Sequence, residues 1–140
     1  MDIENRVPII RVWGLLLVPV QGDLGDSQAE ALKQEVLSAI HTTSIQGLVL
    51  DVTGLWLIDS HLCAVLTRLA QAAALMGTRT VVCGMSAEIA LTIQMMGLEI
   101  EAVETALSLE QALQQFGVRG PPGTEEDGEL APLETEDPAS

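Results

Sequence analysis

Asp59-Ser60 is the pair whose residue types and placement most readily support chemistry, because it joins the apolar run Leu48-Val49-Leu50-Asp51-Val52 to an amphipathic stretch from Leu62 to Met76. An aspartate just before such a stretch is a natural N-cap: its carboxylate accepts a hydrogen bond from an amide that the first helical turn leaves unpaired. Ser60 then takes the first helical position, with its hydroxyl near the surface. A phosphate there meets free backbone amides and the positive end of the helix dipole, so modification is compatible with the fold. It adds roughly 1.5 to 2 negative charges at neutral pH. Beside Asp59, on an acidic chain, that charge repels or recruits partners. The same two residues also make a plain helix cap with no regulatory role, and local sequence does not separate these readings.

Other reactive side chains are less promising. His41, His61, Cys63 and Cys83 have spacings that match no paired zinc-ligand motif, so structural or incidental roles are expected and no metal or cofactor is implied. No glycine-flanked nucleophile elbow surrounds Ser60, which argues against a hydrolase. Asp23 and Asp26 sit in a glycine-containing turn, where turn and capping roles suit them. Gly84 lacks the neighbouring glycines of a phosphate-cradling loop.

Elements that position Asp59-Ser60 are readable from hydrophobic periodicity and punctuation. Ile9 to Val12 and Leu15 to Val18 flank Trp13-Gly14, which predicts an N-terminal hairpin with glycine supplying a positive φ. Pro19 has no amide hydrogen, so the second strand either ends there or turns that side away from the ladder. Ser27 with Glu30 three residues on predicts a capping box opening a helix whose inward positions are Ala29, Leu32, Val36 and Ile40, with His41 at its end. Leu48 to Val52 is continuously apolar, as in a central strand covered on both faces. Leu62, Val65, Leu66, Leu69, Ala73 and Met76 trace one helix face that stops at Gly77, a residue suited to the left-handed conformation after a helix. Thr80 to Cys83 reads as a buried strand. Ser86 caps a third helix with Ile89, Ile93 and Met96 inward, Ile100 to Val103 adds an edge strand, and Ser108 with Gln111 opens a last helix through Phe116. A hairpin followed by alternating helix and strand gives an α/β fold: a mixed sheet with about four packed helices.

The whole-chain composition sets the outer limits. At 140 residues there is room for one core, and the 48% hydrophobic content with few aromatics makes that core aliphatic. The net charge of -14 argues against nucleic acid and anionic membrane surfaces, both of which call for clustered Lys and Arg. Two cysteines form no disulfide framework, the N-terminus is not that of a secretory signal, and no apolar run spans a membrane, so a soluble, reduced cytoplasmic setting is expected. Residues 1-116 are expected to form the domain. Residues 117-140, rich in Gly, Pro, Glu and Asp, are expected to be a disordered acidic tail, because they bury too little apolar surface to offset ordering entropy.

The succession Leu48 to Ser60, the helix ending Leu75-Met76-Gly77, and Val81-Val82-Cys83-Gly84-Met85 resembles the STAS domain family, in which an Asp-Ser or Asp-Thr pair opens the helix after a strand. Val7-Pro8-Ile9-Ile10, Leu15-Leu16-Leu17-Val18 and Val103-Glu104-Thr105-Ala106-Leu107 extend the resemblance to Phe116 and point to the stressosome-scaffold, RsbS-like branch. The resemblance implies a non-enzymatic phosphoprotein scaffold of stress response and sigma factor regulation, with Ser60 as phospho-acceptor and Asp59 as its cap and partner-binding neighbour. It implies RsbR-like scaffold partners, an RsbT-like switch kinase, an RsbX-like phosphatase, and self-association in a large cytoplasmic assembly. A second branch implies instead a SpoIIAA-like antagonist that binds an anti-sigma factor kinase. Thr92 resembles a second phosphorylated threonine of RsbR-like relatives, although its place in a helix also gives it a structural reading. The tail departs from the family pattern.

Overall fold

A computed structural model describes residues 7–97 and 103–118 of the chain. Strands β1 (Ile10–Val12) and β2 (Leu15–Pro19) form the expected hairpin, with Val12 opposite Leu15 across a two-residue turn. Both turn residues have positive φ, 50° at Trp13 and 76° at Gly14, the combination that matches the natural twist of paired strands. Helix α1 (Asp26–Thr42), strand β3 (Gly47–Asp51), helix α2 (Ser60–Leu75), strand β4 (Arg79–Cys83), helix α3 (Ala87–Met95), strand β5 (Val103–Ala106) and helix α4 (Leu109–Gln115) follow. The sheet order is β1-β2-β3-β4-β5, antiparallel only in the hairpin and parallel thereafter. The sheet is therefore mixed, with β3 at its centre.

Alternation along the strands divides the core in two. Leu16, Val18, Leu48, Leu50 and Val82 face α1, α2 and α3, while Val49, Val81 and Cys83 face Ala112 and Phe116 at α4. That two-sided cover is why β3 reads as an unbroken apolar run. Val20 donates to the Asp51 carbonyl at 2.8 Å, so the position of the missing amide hydrogen of Pro19 turns away from β3, past the end of the β1 pairing. At Gly47 a Cβ would overlap the Phe116 ring and stand 2.8 Å from Leu15 Cδ2, so glycine here permits α4 to seat.

Several expectations shift by a turn or less. The N-cap of α1 is Gly25, not Ser27: Gln28 Oε1 accepts from the Gly25 amide at 2.8 Å, and Glu30 instead pairs with Lys33 at 3.1 Å. Gly77 takes a φ of 89° and closes α2 as expected, with its amide and that of Thr78 donating to Ala74 and Ala73. Met76, expected inward, is 42% exposed because this closing turn carries it off the buried face. The edge strand lies at Val103–Ala106, three residues later than expected at its start, and Ile100 falls outside the described residues. In α4, Gln111 accepts from the Leu107 amide rather than from Ser108, whose hydroxyl receives the Gln111 amide. Gly117 and Val118 donate to Gln114 and Leu113 and so belong to the close of α4; the rest of the expected acidic tail lies outside the described residues.

Candidate functional site

The segment between β3 and α2 is held from three sides. Asp51, the last residue of β3, accepts from the Thr53 amide at 3.0 Å and the Thr53 hydroxyl at 2.6 Å, which turns the chain at once. Val52 donates to the Cys83 carbonyl at 2.9 Å and thereby ties the turn to β4. The loop before α1 supplies the third hold, with Gly22 donating to Gly54 at 2.8 Å and Trp56 donating to Gly22 at 3.0 Å. Leu55 and Ile58 are buried between these contacts. Asp59 thus arrives in extended conformation, and its Oδ1 accepts from the Leu62 amide at 2.8 Å.

Ser60 is the first residue of α2 and is exposed, and among the described residues its hydroxyl has no hydrogen-bond partner. The structure therefore brings Asp59 and Ser60 together in the arrangement their types suggest: a capped helix start that leaves the serine oxygen open to solvent. Removing the cap has a defined cost. Asp59→Ala is expected to lower unfolding free energy by about 1 kcal/mol, measured by urea denaturation, with the circular dichroism spectrum unchanged.

Charge around the helix start is mostly negative. His61 Nε2 stands 3.8 Å from Asp26 Oδ1 and 3.8 Å from Glu30 Oε2, which joins the starts of α1 and α2. The hydrogen bond from Lys33 holds the Glu30 carboxyl below the usual carboxylate range. Asp23 is exposed in the same loop, one residue after the Gly22 that bonds Trp56. His41 lies exposed in the last turn of α1.

Thr92 has a different setting from Ser60. It is half-buried in α3, and its hydroxyl donates to the Glu88 carbonyl at 2.8 Å. Cys63 and Cys83 are free and buried, on α2 and β4 respectively. Burial raises the Cys63 thiol, while burial and then the nearby Asp51 charge push Cys83 up to about 11. Because the thiolate is the nucleophile, native protein at pH 8 is expected to resist iodoacetamide at both cysteines. Raising the pH through 9 should leave Cys83 slow until about 11, and denaturation in guanidinium should release both thiols to rapid labelling, read by intact mass.

Gly84 has a φ of 76°, and a Cβ on it would overlap Thr53 Oγ1, so its role is close approach of two loops rather than anion binding. Two features of the site escape a reading of periodicity. Trp56 is 79% exposed and Leu57 58% exposed, directly before buried Ile58. The signal for them is four consecutive large apolar residues, Leu55 to Ile58, in a short loop, more than one inward side can take.

A STAS domain model matches residues 6–112. The RsbT co-antagonist protein RsbRD of Bacillus subtilis is 26% identical over 117 residues, which are 83% of this chain and 42% of that protein. The chain thus spans about two fifths of the length of such co-antagonist relatives. Among solved structures, a serine-to-glutamate variant of Moorella thermoacetica RsbS superposes with a TM-score of 0.71 at 31% identity, covering 80% of this chain and 95% of that one. The anti-sigma factor antagonist SpoIIAA in its unphosphorylated form shares the fold, with a TM-score of 0.66 at 16% identity over 81% of this chain and 99% of that one. Among the described residues, no helix is long and apolar enough to cross a membrane. A mixed five-stranded sheet with four helices, matched by the family model over most of its length and by RsbS over nearly all of that chain, places this protein in the STAS domain family.

Proposed function

We propose that this chain is a cytoplasmic, non-enzymatic phospho-switch scaffold of a stressosome, which holds an RsbT-like switch kinase while Ser60 is unmodified and releases it once Ser60 carries phosphate. The observation that carries the reading is the exposed, unengaged Ser60 hydroxyl on a helix start already capped by Asp59. RsbRD is named for co-antagonism of RsbT, and RsbS is similar over nearly its whole chain, which supports an RsbR-like and RsbS-like assembly with self-association. An RsbX-like phosphatase resets the switch.

Release has a physical cause in phosphoryl transfer. The Ser60 oxygen attacks the γ-phosphorus of ATP, its proton passes to a base on the kinase, and the bond to the bridging oxygen breaks to leave ADP. The new phosphoserine then faces the β-phosphate of ADP. A desolvated like-charge contact at an interface costs several kcal/mol, whereas each tenfold loss of affinity requires only about 1.4 kcal/mol.

Phosphopeptide mapping after incubation with ATP and the RsbT-like kinase of the same organism tests the assignment. Phosphate is expected on Ser60 and not on Thr92, whose hydroxyl is engaged with Glu88. Phosphate elsewhere, with Ser60 bare, would overturn the reading. The shared fold with SpoIIAA favours one competing partner, an anti-sigma factor that is itself a kinase. Native purification separates them: a large particle with RsbR-like scaffolds supports the first reading, a small complex with an anti-sigma factor the second.

A further inference from the structure

We infer that Trp56 and Leu57 form the anchor by which the switch kinase docks, and that they fit an apolar pocket rimmed by Lys and Arg. This inference rests on the proposed function and names the surface chemistry of its partner. Trp56 is 79% exposed and Leu57 58% exposed, three to four residues before Ser60. Single exposed apolar residues are common on protein surfaces, but here two stand side by side on a backbone that is already fixed. The Trp56 amide is bonded to Gly22, and Leu55 and Ile58 are buried on either side. Presentation on such a loop costs little ordering entropy on binding, and tryptophan is enriched among the residues that dominate interface energy.

Charge selects the partner. Asp23, Asp26 and Asp59 are exposed around this loop. Glu30 is shared with Lys33 and also feels Arg68 and His61. The four carboxylates Asp23, Asp26, Glu30 and Asp59 outnumber the two cations Lys33 and Arg68, so the collar is acidic on balance, which disfavours a second copy of a chain whose net charge is -14 and favours a basic surface. That basic rim lies around the loop, while the nucleotide end of the kinase must face Ser60. Attraction at the collar and expulsion at the phosphoserine thus act on different parts of one interface.

The test uses the full chain and the RsbT-like kinase of the same organism, with ATP. Trp56→Ala is expected to raise the KM for phosphorylation of Ser60 at least tenfold with kcat within about twofold, because the loop binds but does not react. Trp13→Phe leaves Trp56 as the sole tryptophan; its emission should shift to the blue when kinase is added, and the shift should weaken as salt is raised. Trp13→Ala, at the other exposed tryptophan, should leave KM unchanged and so controls for a general loss of apolar surface. An unchanged KM in Trp56→Ala, or an emission shift that follows protein concentration without kinase, overturns the anchor while Ser60 phosphorylation still stands. Failure of the kinase to phosphorylate wild-type Ser60 overturns the proposed function, and the anchor with it.

Discussion

Ser60→Ala is expected to take no phosphate from the switch kinase and to keep it bound through rounds of ATP addition that release it from wild type. Ser60 is exposed and its hydroxyl makes no hydrogen bond among the described residues, so its removal leaves no orphaned partner. Stability should therefore stay within about 0.5 kcal/mol of wild type, as for other surface substitutions. The cap itself survives, because the Leu62 amide is received by Asp59. Ser60→Asp should release the kinase only in part: a carboxylate carries one charge and two oxygens, against nearly two charges and three strong acceptors for phosphate. Retention is read by co-purification before and after ATP, and phosphate by mass. Should both variants hold and release the kinase as wild type does, the switch does not run through this hydroxyl.

The helix start was legible because its determinants are local. Asp59 precedes an amphipathic run, and a carboxylate at that position finds the amide two or three residues on whatever else the fold does. The central strand was legible for a tertiary reason that leaves a local trace: both faces of β3 are covered, so Leu48, Val49 and Leu50 have no polar alternation. The start of α1 differs from the expected Ser27 because two local solutions compete. Ser27 with Glu30 has the types of a capping box, but Gln28 reaching back to Gly25 starts the helix about half a turn earlier and frees Glu30 to pair with Lys33 and face His61. The edge strand slid from Ile100 to Val103 because register is set by pairing with β4, Thr80 opposite Val103, and pairing is not a local property.

The surface of the site was less legible than its cap. Trp56 and Leu57 look like core residues by type, and their exposure follows from the contacts of Gly22 with Gly54 and Trp56, which fix the backbone so that Leu55 and Ile58 turn inward. No spacing rule within one segment announces such pairing between two loops. The same holds for the thiols, since Cys83 is pushed to about 11 by burial and by an Asp51 that lies opposite it on the neighbouring strand β3.

Gly84→Ala is expected to cost about 3 kcal/mol by urea denaturation, a large loss for one added methyl group. Two terms combine. A φ of 76° places an alanine in the left-handed region, at roughly 1–2 kcal/mol. The added Cβ would also overlap Thr53 Oγ1 and stand 3.2 Å from Asp51 Oδ1, and overpacking of this kind costs typically 1–3 kcal/mol. Neither obstacle is the free end of a long side chain: Thr53 is held by two hydrogen bonds to Asp51, and Asp51 ends the central strand. Relief must therefore come from shifting the turn that leads to Asp59, so the variant should also slow phosphorylation of Ser60 at temperatures where it remains folded. Thr53→Ala removes the closest obstacle but not the backbone strain. The double variant should thus lose less than the sum of the two single losses, because residues in contact are not additive. Strict additivity would mean that the two loops do not touch in solution, and the route by which the sheet positions Ser60 would have to be redrawn.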